Sequence, residues 1–133
     1  MNDRLSAWAP QALALLRIMT ALLFIEHGTM KLFGFPPSQM SPAFGSLFWF
    51  AGVLEVVGGI LVLLGLFTRP AAFLLSGEMA VAYFMAHAPQ GFFPVLNQGE
   101  SAILFCFVFL YLFVAGPGAW SLDARRRALA VAA

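Results

Sequence analysis

Few residues in this chain can do chemistry, and most of them lie inside apolar stretches. Residues 17–33, RIMTALLFIEHGTMKLF, carry four ionisable side chains, those of Arg17, Glu26, His27 and Lys31. If this stretch crosses a bilayer, each of these groups is costly to bury and marks either a functional site or an internal ion pair. The chemistry open to such groups is hydrogen bonding to a ligand and the transfer of protons.

The composition predicts a membrane protein. Of the 133 residues, 62% are hydrophobic and 10% are charged, whereas about 25% of the residues in soluble domains are charged. The formal net charge is +1, and the only dense basic run is residues 125–127, so we predict no binding to nucleic acid. Cys106 is the sole cysteine, which excludes an internal disulfide and a cysteine metal cage within one chain. We predict no metal site.

Four apolar segments predict an all-α fold, an integral membrane four-helix bundle that forms a single domain over residues 1–133. We expect the helices at about residues 11–33, 47–67, 71–87 and 100–115, because about 20 apolar residues cross a hydrocarbon core of about 30 Å. The prolines of residues 34–46 break the pattern, and Pro70 suits the first position of the third helix. Residues 88–99 are apolar for a loop, and we expect them to lie on the membrane surface or over the mouth of the bundle.

The distribution of positive charge predicts the orientation in the membrane. Four crossings place both termini on one side, where Arg4, Arg17, Arg69 and residues 125–127 also fall, and only Lys31 lies on the other side. Cytoplasmic loops carry the excess of lysine and arginine. We therefore expect cytoplasmic N- and C-termini.

Helical phase predicts that Glu55 points into the bundle. It shares one face of the second helix with Gly52 and Gly59, and small residues at such spacing let another helix approach closely. A mid-membrane carboxylate needs a partner or a proton, and we expect His27 or Arg17, on one face of the first helix, to pair with it.

Other polar residues join this inward set by phase and depth. Structural roles stay open for each of them, because long side chains near an interface can extend to water and a bundle histidine can be satisfied by the backbone. The candidates for buried polar or ligand-binding residues are Arg17, His27, Lys31, Glu55, Glu100, Tyr83, His87 and Tyr111.

Two further carboxylates lie about half a turn from the polar faces of their helices, Glu26 and Glu78. An ionised carboxylate that faces lipid is costly unless it is protonated, paired or covered. We expect them to mark a subunit contact in a homo-oligomer. The alternative is a rotated third helix, which would turn Glu78 inward and expose the face of Ser76, Tyr83 and His87.

Several short motifs, in this order and spacing, resemble the DoxX family of small bacterial membrane proteins. They are R…HG..K (Arg17, His27, Gly28 and Lys31), E..GG.L.LLGL.TR.AA (residues 55–72), the His87…Glu100 spacing, and GPG..SLD (residues 116–123). The resemblance implies four transmembrane helices in a bacterial inner membrane. Because some members resemble a subunit of thiosulfate:quinone oxidoreductase and others are linked to quinone or thiol-stress detoxification, it also implies a quinone-linked role. The resemblance does not identify any catalytic residue in this chain.

Two classes of function follow. In the first, the protein is a subunit of a quinone-linked oxidoreductase, in which His27, Glu55 and Arg17 or Lys31 hold a quinone head group and pass protons. The chain has no cysteine pair, haem ligand pair or flavin motif, so electrons would come from a soluble or membrane redox partner. In the second, it is a small transport or proton-shuttling protein, or a scaffold for a partner. Quinone is the only cofactor expected, and no covalent cofactor is implied.

Overall fold

A computed structural model describes residues 2–132 of the chain, and all regular secondary structure in this range is helical. The helices are α1 (Asn2–Ser6), α2 (Ala9–Phe33), α3 (Leu47–Leu64), α4 (Thr68–Ala82), α5 (Pro94–Asn97), α6 (Glu100–Ala115) and α7 (Leu122–Ala132). A π-helical turn (Tyr83–His87) and a 3₁₀ turn (Ala88–Gln90) continue α4.

Three helical segments are long and apolar enough to cross a membrane, namely Ala9–Phe33, Leu47–Leu64 and Thr68–Gln90. The fourth apolar helix, α6, has 16 residues and therefore a length of about 24 Å, somewhat less than a hydrocarbon core. The predicted all-helical membrane fold is confirmed. The side on which the termini lie and the extent of the domain stay predictions.

Local capping explains where the helix ends differ from the expected ones. α3 ends at Leu64 instead of residue 67, because Gly65 adopts a left-handed conformation (φ 65°) that glycine tolerates best. α4 begins at Thr68 instead of residue 71, because the Asp123 carboxylate accepts hydrogen bonds from the backbone nitrogens of Phe67 (3.0 Å) and Thr68 (2.9 Å). Pro70 then falls in the first turn, where a missing N–H costs nothing.

The bundle consists of two closely packed helix pairs, α2 with α3 and α4 with α6. A Cβ atom added to Gly28 would lie 2.6 Å from Val56 Cγ2, and one added to Gly59 would lie 2.6 Å from Ile25 Cγ1. The α2 and α3 backbones therefore approach each other as closely as the glycine face predicted. The buried core around this contact includes Phe24.

Residues 88–99 fold back against the end of α4. Asn97 is 1% exposed, and its side chain donates to the Gly91 carbonyl (2.8 Å) and accepts from the Gly99 backbone nitrogen (2.8 Å). The Asn97 carbonyl lies 3.0 Å from Nδ1 of His87. These bonds tie the loop to the π-helical turn of Tyr83–His87.

Candidate functional site

The centre of the candidate site is an ion pair between α2 and α3. Lys31 Nζ donates to Glu55 Oε1, and Glu55 is 1% exposed. The prediction that Glu55 pairs with His27 or Arg17 is therefore wrong. A Cβ atom on Gly52 would lie 3.0 Å from Lys31 Cβ, so the close contact at Gly52 brings Lys31 beside Glu55, whereas Arg17 lies about 21 Å further along α2.

Glu78 of α4 lines the same cavity as this ion pair. Both of its carboxylate oxygens, and Oε2 of Glu55, are buried and have no hydrogen-bond partner among residues 2–132. The expectation that Glu78 faces away from the bundle is therefore wrong, and its role in a subunit contact stays a prediction. The rotated-helix alternative is also wrong in part, because Ser76 stays buried and donates to the Cys106 carbonyl (2.8 Å). One face of α4 packs on α6 and another faces α3.

The cavity that holds these groups has a volume of about 340 Å³ and lies mainly between α3 and α4. Apart from Lys31, Glu55 and Glu78, its walls are apolar, and several wall residues sit on the outer surface of the spanning segments. Phe50, Leu74, Val81 and Met85 are each more than half exposed. The cavity therefore holds three polar groups within apolar walls, and it opens toward the lipid.

A second cavity, of about 400 Å³, shares Lys31 and Glu55 with the first and also contains His27 and His87. His27 packs its ring edge-on against Phe105 with centroids 5.7 Å apart, and its side chain has no hydrogen bond to any residue between 2 and 132. The Lys31–Glu55 pair therefore lines two cavities that lie side by side.

Arg17 lies at the other end of the bundle and is completely buried. Its guanidinium donates to five backbone carbonyls, those of Val62 (2.8 Å) and Leu63 (2.5 Å) in α3 and those of Pro117 (2.8 Å), Ala119 (3.3 Å) and Trp120 (2.8 Å) after α6. Arg17 clamps two segments together and takes no part in the carboxylate cavity.

The remaining candidates divide by exposure. Glu100 is exposed and Tyr111 is 56% exposed, so the expectation that they are buried is wrong. Both residues are exposed because little of α6 is buried, and the exposed face of this helix is mainly apolar. Glu26 is exposed on α2, and its role in a subunit contact stays a prediction. Tyr83 accepts from Asn97 Nδ2 (3.4 Å) and helps to hold the loop.

Sequence reasoning missed Asn97, which organises the loop of residues 88–99, and Asp123, which caps α4. The only signal for Asn97 was an amide within the otherwise apolar run FFPVLN. Within residues 2–132, no group of three or more His, Cys, Asp and Glu side chains could hold a metal ion.

The charges in the first cavity do not balance by themselves. Two carboxyl groups, Glu55 and Glu78, face one ammonium group, that of Lys31. An unpaired charge in an apolar environment is costly, so the cavity favours an additional proton or a ligand that donates hydrogen bonds. With a proton on one carboxyl group, the site offers both donors and acceptors to a polar head group.

Comparison with known proteins places the chain in a family. The DoxX family model matches residues 12–88, which include Lys31, Glu55 and Glu78. An uncharacterized protein of Haemophilus influenzae is 50% identical over 129 residues, covering 92% of this chain and 96% of that protein. The uncharacterized membrane protein Rv3486 of Mycobacterium tuberculosis is 31% identical over 140 residues, covering 91% and 85%.

The inner membrane protein YphA of Escherichia coli is 32% identical over 127 residues, covering 87% of this chain and 91% of that protein. No solved structure matches the chain significantly. The apolar spanning helices and the inner-membrane relatives agree on a multi-pass protein of the bacterial inner membrane. This chain belongs to the DoxX family.

Proposed function

We propose that this DoxX-family protein is the membrane subunit of a quinone-linked redox system, and that the cavity between α3 and α4 receives the quinone head group. The observation that carries the proposal is a set of buried carboxylate oxygens, on Glu55 and Glu78, that have no partner among residues 2–132 and lie inside a cavity that is otherwise apolar. In this proposal α6 is the fourth crossing, and both termini are cytoplasmic.

The residues present fit the chemistry of a quinone. A quinone head has a flat apolar ring with two carbonyl acceptors, and its reduced form has hydroxyl donors. Lys31, and a carboxyl group that holds a proton, can donate to carbonyls, and the carboxylates can accept from hydroxyls. The volume of about 340 Å³ lies at the lower end of the range for small-molecule sites, about 300 to 1,000 Å³. It suits a ring whose tail extends into the lipid.

When bound, the quinone supplies the two-electron chemistry, and a partner protein supplies or removes the electrons. The chain's own part is to bind the head, exclude water and carry protons. Lys31, fixed by Glu55, orients one carbonyl oxygen, and Glu78 holds the exchangeable proton on its carboxyl group. Glu78 suits this role because neither of its oxygens is engaged by a described residue.

Fluorescence quenching can test whether the head group binds here. The chain has three tryptophans, and Trp49 packs against Phe50 of the cavity wall (centroids 5.2 Å apart). A Trp8→Phe/Trp120→Phe background therefore leaves a single reporter beside the cavity. In nanodiscs, a short-chain ubiquinone should quench Trp49 saturably, and Glu78→Leu should weaken binding about tenfold, roughly 1.4 kcal/mol.

Glu26→Leu is the matched control, because it removes a carboxylate from a spanning helix outside the cavity, and it should leave the titration unchanged. Glu78→Leu should not lower the melting temperature, since it removes a buried group that has no partner in the described part of the chain. Quenching that never saturates, or that Glu26→Leu and Glu78→Leu weaken equally, would refute binding in this cavity.

Proton shuttling without redox chemistry is the second candidate function. It is favoured by the second cavity, in which His27 and His87 stand next to the shared Lys31–Glu55 pair. In liposomes that carry an imposed pH gradient, the protein should speed proton entry, and Glu55→Gln should abolish the increase while His87→Gln reduces it. Proton entry at the rate of empty liposomes would exclude this candidate.

A further inference from the structure

A second polar site lies at the end of the bundle that holds Arg17. A cleft of about 470 Å³ is lined by residues from the beginning of α4, from the segment after α6 and from α7. Its lining includes Phe67, Arg69, Asp123, Arg126 and Arg127. The proposed redox function uses none of these residues.

The charge in this cleft is strongly positive. Three guanidinium groups face one carboxylate, and that carboxylate is already engaged by the Phe67 and Thr68 backbone nitrogens. Arg126 lies over the Phe67 ring, 5.2 Å from its centroid. Neither Arg126 nor Arg127 donates a hydrogen bond to any residue in the described range 2–132, so their donors are available to an anion.

Arg69 lines the side of the cleft next to α6. Its Nη1 donates to the carbonyls of Phe113 (2.7 Å) and Val114 (2.6 Å) at the end of α6. These bonds fix the guanidinium at the level where the spanning helices α4 and α6 terminate. A fixed cation beside two available cations forms a site for a multivalent anionic group.

The depth of the cleft in the membrane is set by the same helix ends. Trp8, before α2, and Trp120, after α6, are 67% and 64% exposed at this end of the bundle, and tryptophan prefers the level of the lipid headgroups. On α7, Leu122, Arg126 and Leu129 fall on one face by helical spacing, and both leucines are exposed. This face combines apolar contact with a cation, as in helices that lie in a membrane interface.

We infer that the cleft binds the phosphate of an anionic phospholipid, with Arg126 and Arg127 contacting the phosphate from α7 and Arg69 lining the side next to α6. A lipid fits better than a free phosphate ion, because the cleft lies at headgroup depth and the exposed Phe67 and Leu129 beside it can contact acyl chains. Asp123 occupies the α4 N-terminus itself, so the phosphate lies on the arginine side of the cleft.

Native mass spectrometry of the protein released from nanodiscs of equal phosphatidylglycerol and phosphatidylcholine tests this inference. The wild type should retain phosphatidylglycerol preferentially, and Arg126→Gln/Arg127→Gln should reduce that preference about tenfold. The matched control is Arg4→Gln/Arg125→Gln, which removes the same amount of charge from the same end of the bundle but outside the cleft lining. It should keep the preference.

Three results would overturn the inference. Equal losses in the two double variants would mean diffuse attraction to a charged membrane. Equal retention of both lipids by the wild type would mean no selective site. A rise in melting temperature with inorganic phosphate in lipid-free detergent, as large as the rise with phosphatidylglycerol, would assign the site to free phosphate. Glu78→Leu should retain phosphatidylglycerol normally, so this test is independent of the quinone proposal.

Discussion

Removal of the Arg17 guanidinium should be the most damaging single change in this protein. Arg17 is fully buried and donates to five backbone carbonyls in two separate segments, residues 62–63 at the end of α3 and residues 117–120 after α6. The methionine of Arg17→Met retains an unbranched side chain but has no donor. All five carbonyls then lose a partner, and the bonds to the Val62 and Pro117 carbonyls are lost in a buried region.

The expected cost follows from the bonds lost. Hydrogen bonds from a charged group contribute about 1.5 to 3 kcal/mol each, but five bonds made by one side chain are not additive. Removal of one partner from a buried charged interaction costs about 3 to 5 kcal/mol, and we expect Arg17→Met to fall in that range. Arg17→Lys keeps the charge, but one nitrogen cannot reach both segments. The free energy of unfolding should therefore fall by about half as much as in Arg17→Met.

Unfolding with a denaturing detergent, followed by far-ultraviolet circular dichroism in mild micelles, gives the free energy of unfolding. The control is Arg69→Met, which removes an exposed arginine that donates to two carbonyls and should cost about 1 kcal/mol. If Arg17→Met lost no more stability than Arg69→Met, the clamp would have no energetic importance and this reasoning would be refuted.

Three further predictions concern other parts of the chain. Partial burial alone would raise the pKa of Asp123, but hydrogen bonds from Thr68 and Phe67 hold its pKa below the usual value. Its contribution to stability is therefore present at neutral pH and lost as the pH falls below about 4. Asp123→Ala should cost about 1 kcal/mol at pH 7 and flatten the acid limb of a melting-temperature curve. Gly28→Ala should lower the free energy of unfolding by about 1 to 3 kcal/mol, because the new Cβ would lie 2.8 Å from the Gly52 carbonyl oxygen. Gly77→Ala is the control, because nothing lies within 4 Å of its new Cβ. It should leave the melting temperature unchanged in the same assay. In a Cys106→Ala background, one cysteine introduced into residues 36–41 should react with an impermeant thiol reagent added to intact cells, and protection there with labelling at the C-terminus would reverse the predicted orientation.

The sequence alone was sufficient to predict the main helices and the part of the candidate site that α3 contributes. Apolar length and proline placement predicted four main helices, and α6 begins and ends where expected. The spacing of Gly52, Glu55 and Gly59 predicted both the buried carboxylate and the close approach of another helix. These predictions succeeded because each depends on residues within one helix, whose relative positions are fixed by the helical repeat.

The partners across helices could not be predicted in the same way. Helical phase gives the angle between residues of one helix but not the rotation of that helix against its neighbour. That rotation depends on packing, as where Leu75 of α4 fits against Gly58 of α3 and a Cβ on Gly58 would lie 2.8 Å from Leu75 Cδ2. Glu78 follows Leu75 by one turn, so this contact also directs Glu78 toward α3. The sequence alone therefore did not show that Leu75 packs against Gly58.

Burial alone does not separate structural charges from functional ones in this bundle, whereas hydrogen-bond partners do. Arg17 and Glu55 are equally inaccessible, yet Arg17 has five acceptors from the fold itself, and its site is complete without a ligand. Glu55 has one donor, Lys31, for its two oxygens, and Glu78 has none among the described residues. The fold keeps these oxygens away from water without replacing the hydrogen bonds that water would give. A proton or a ligand that donates hydrogen bonds would supply the missing partners, and this supports the proposal that a ligand binds at the carboxylate end of the bundle and not at Arg17.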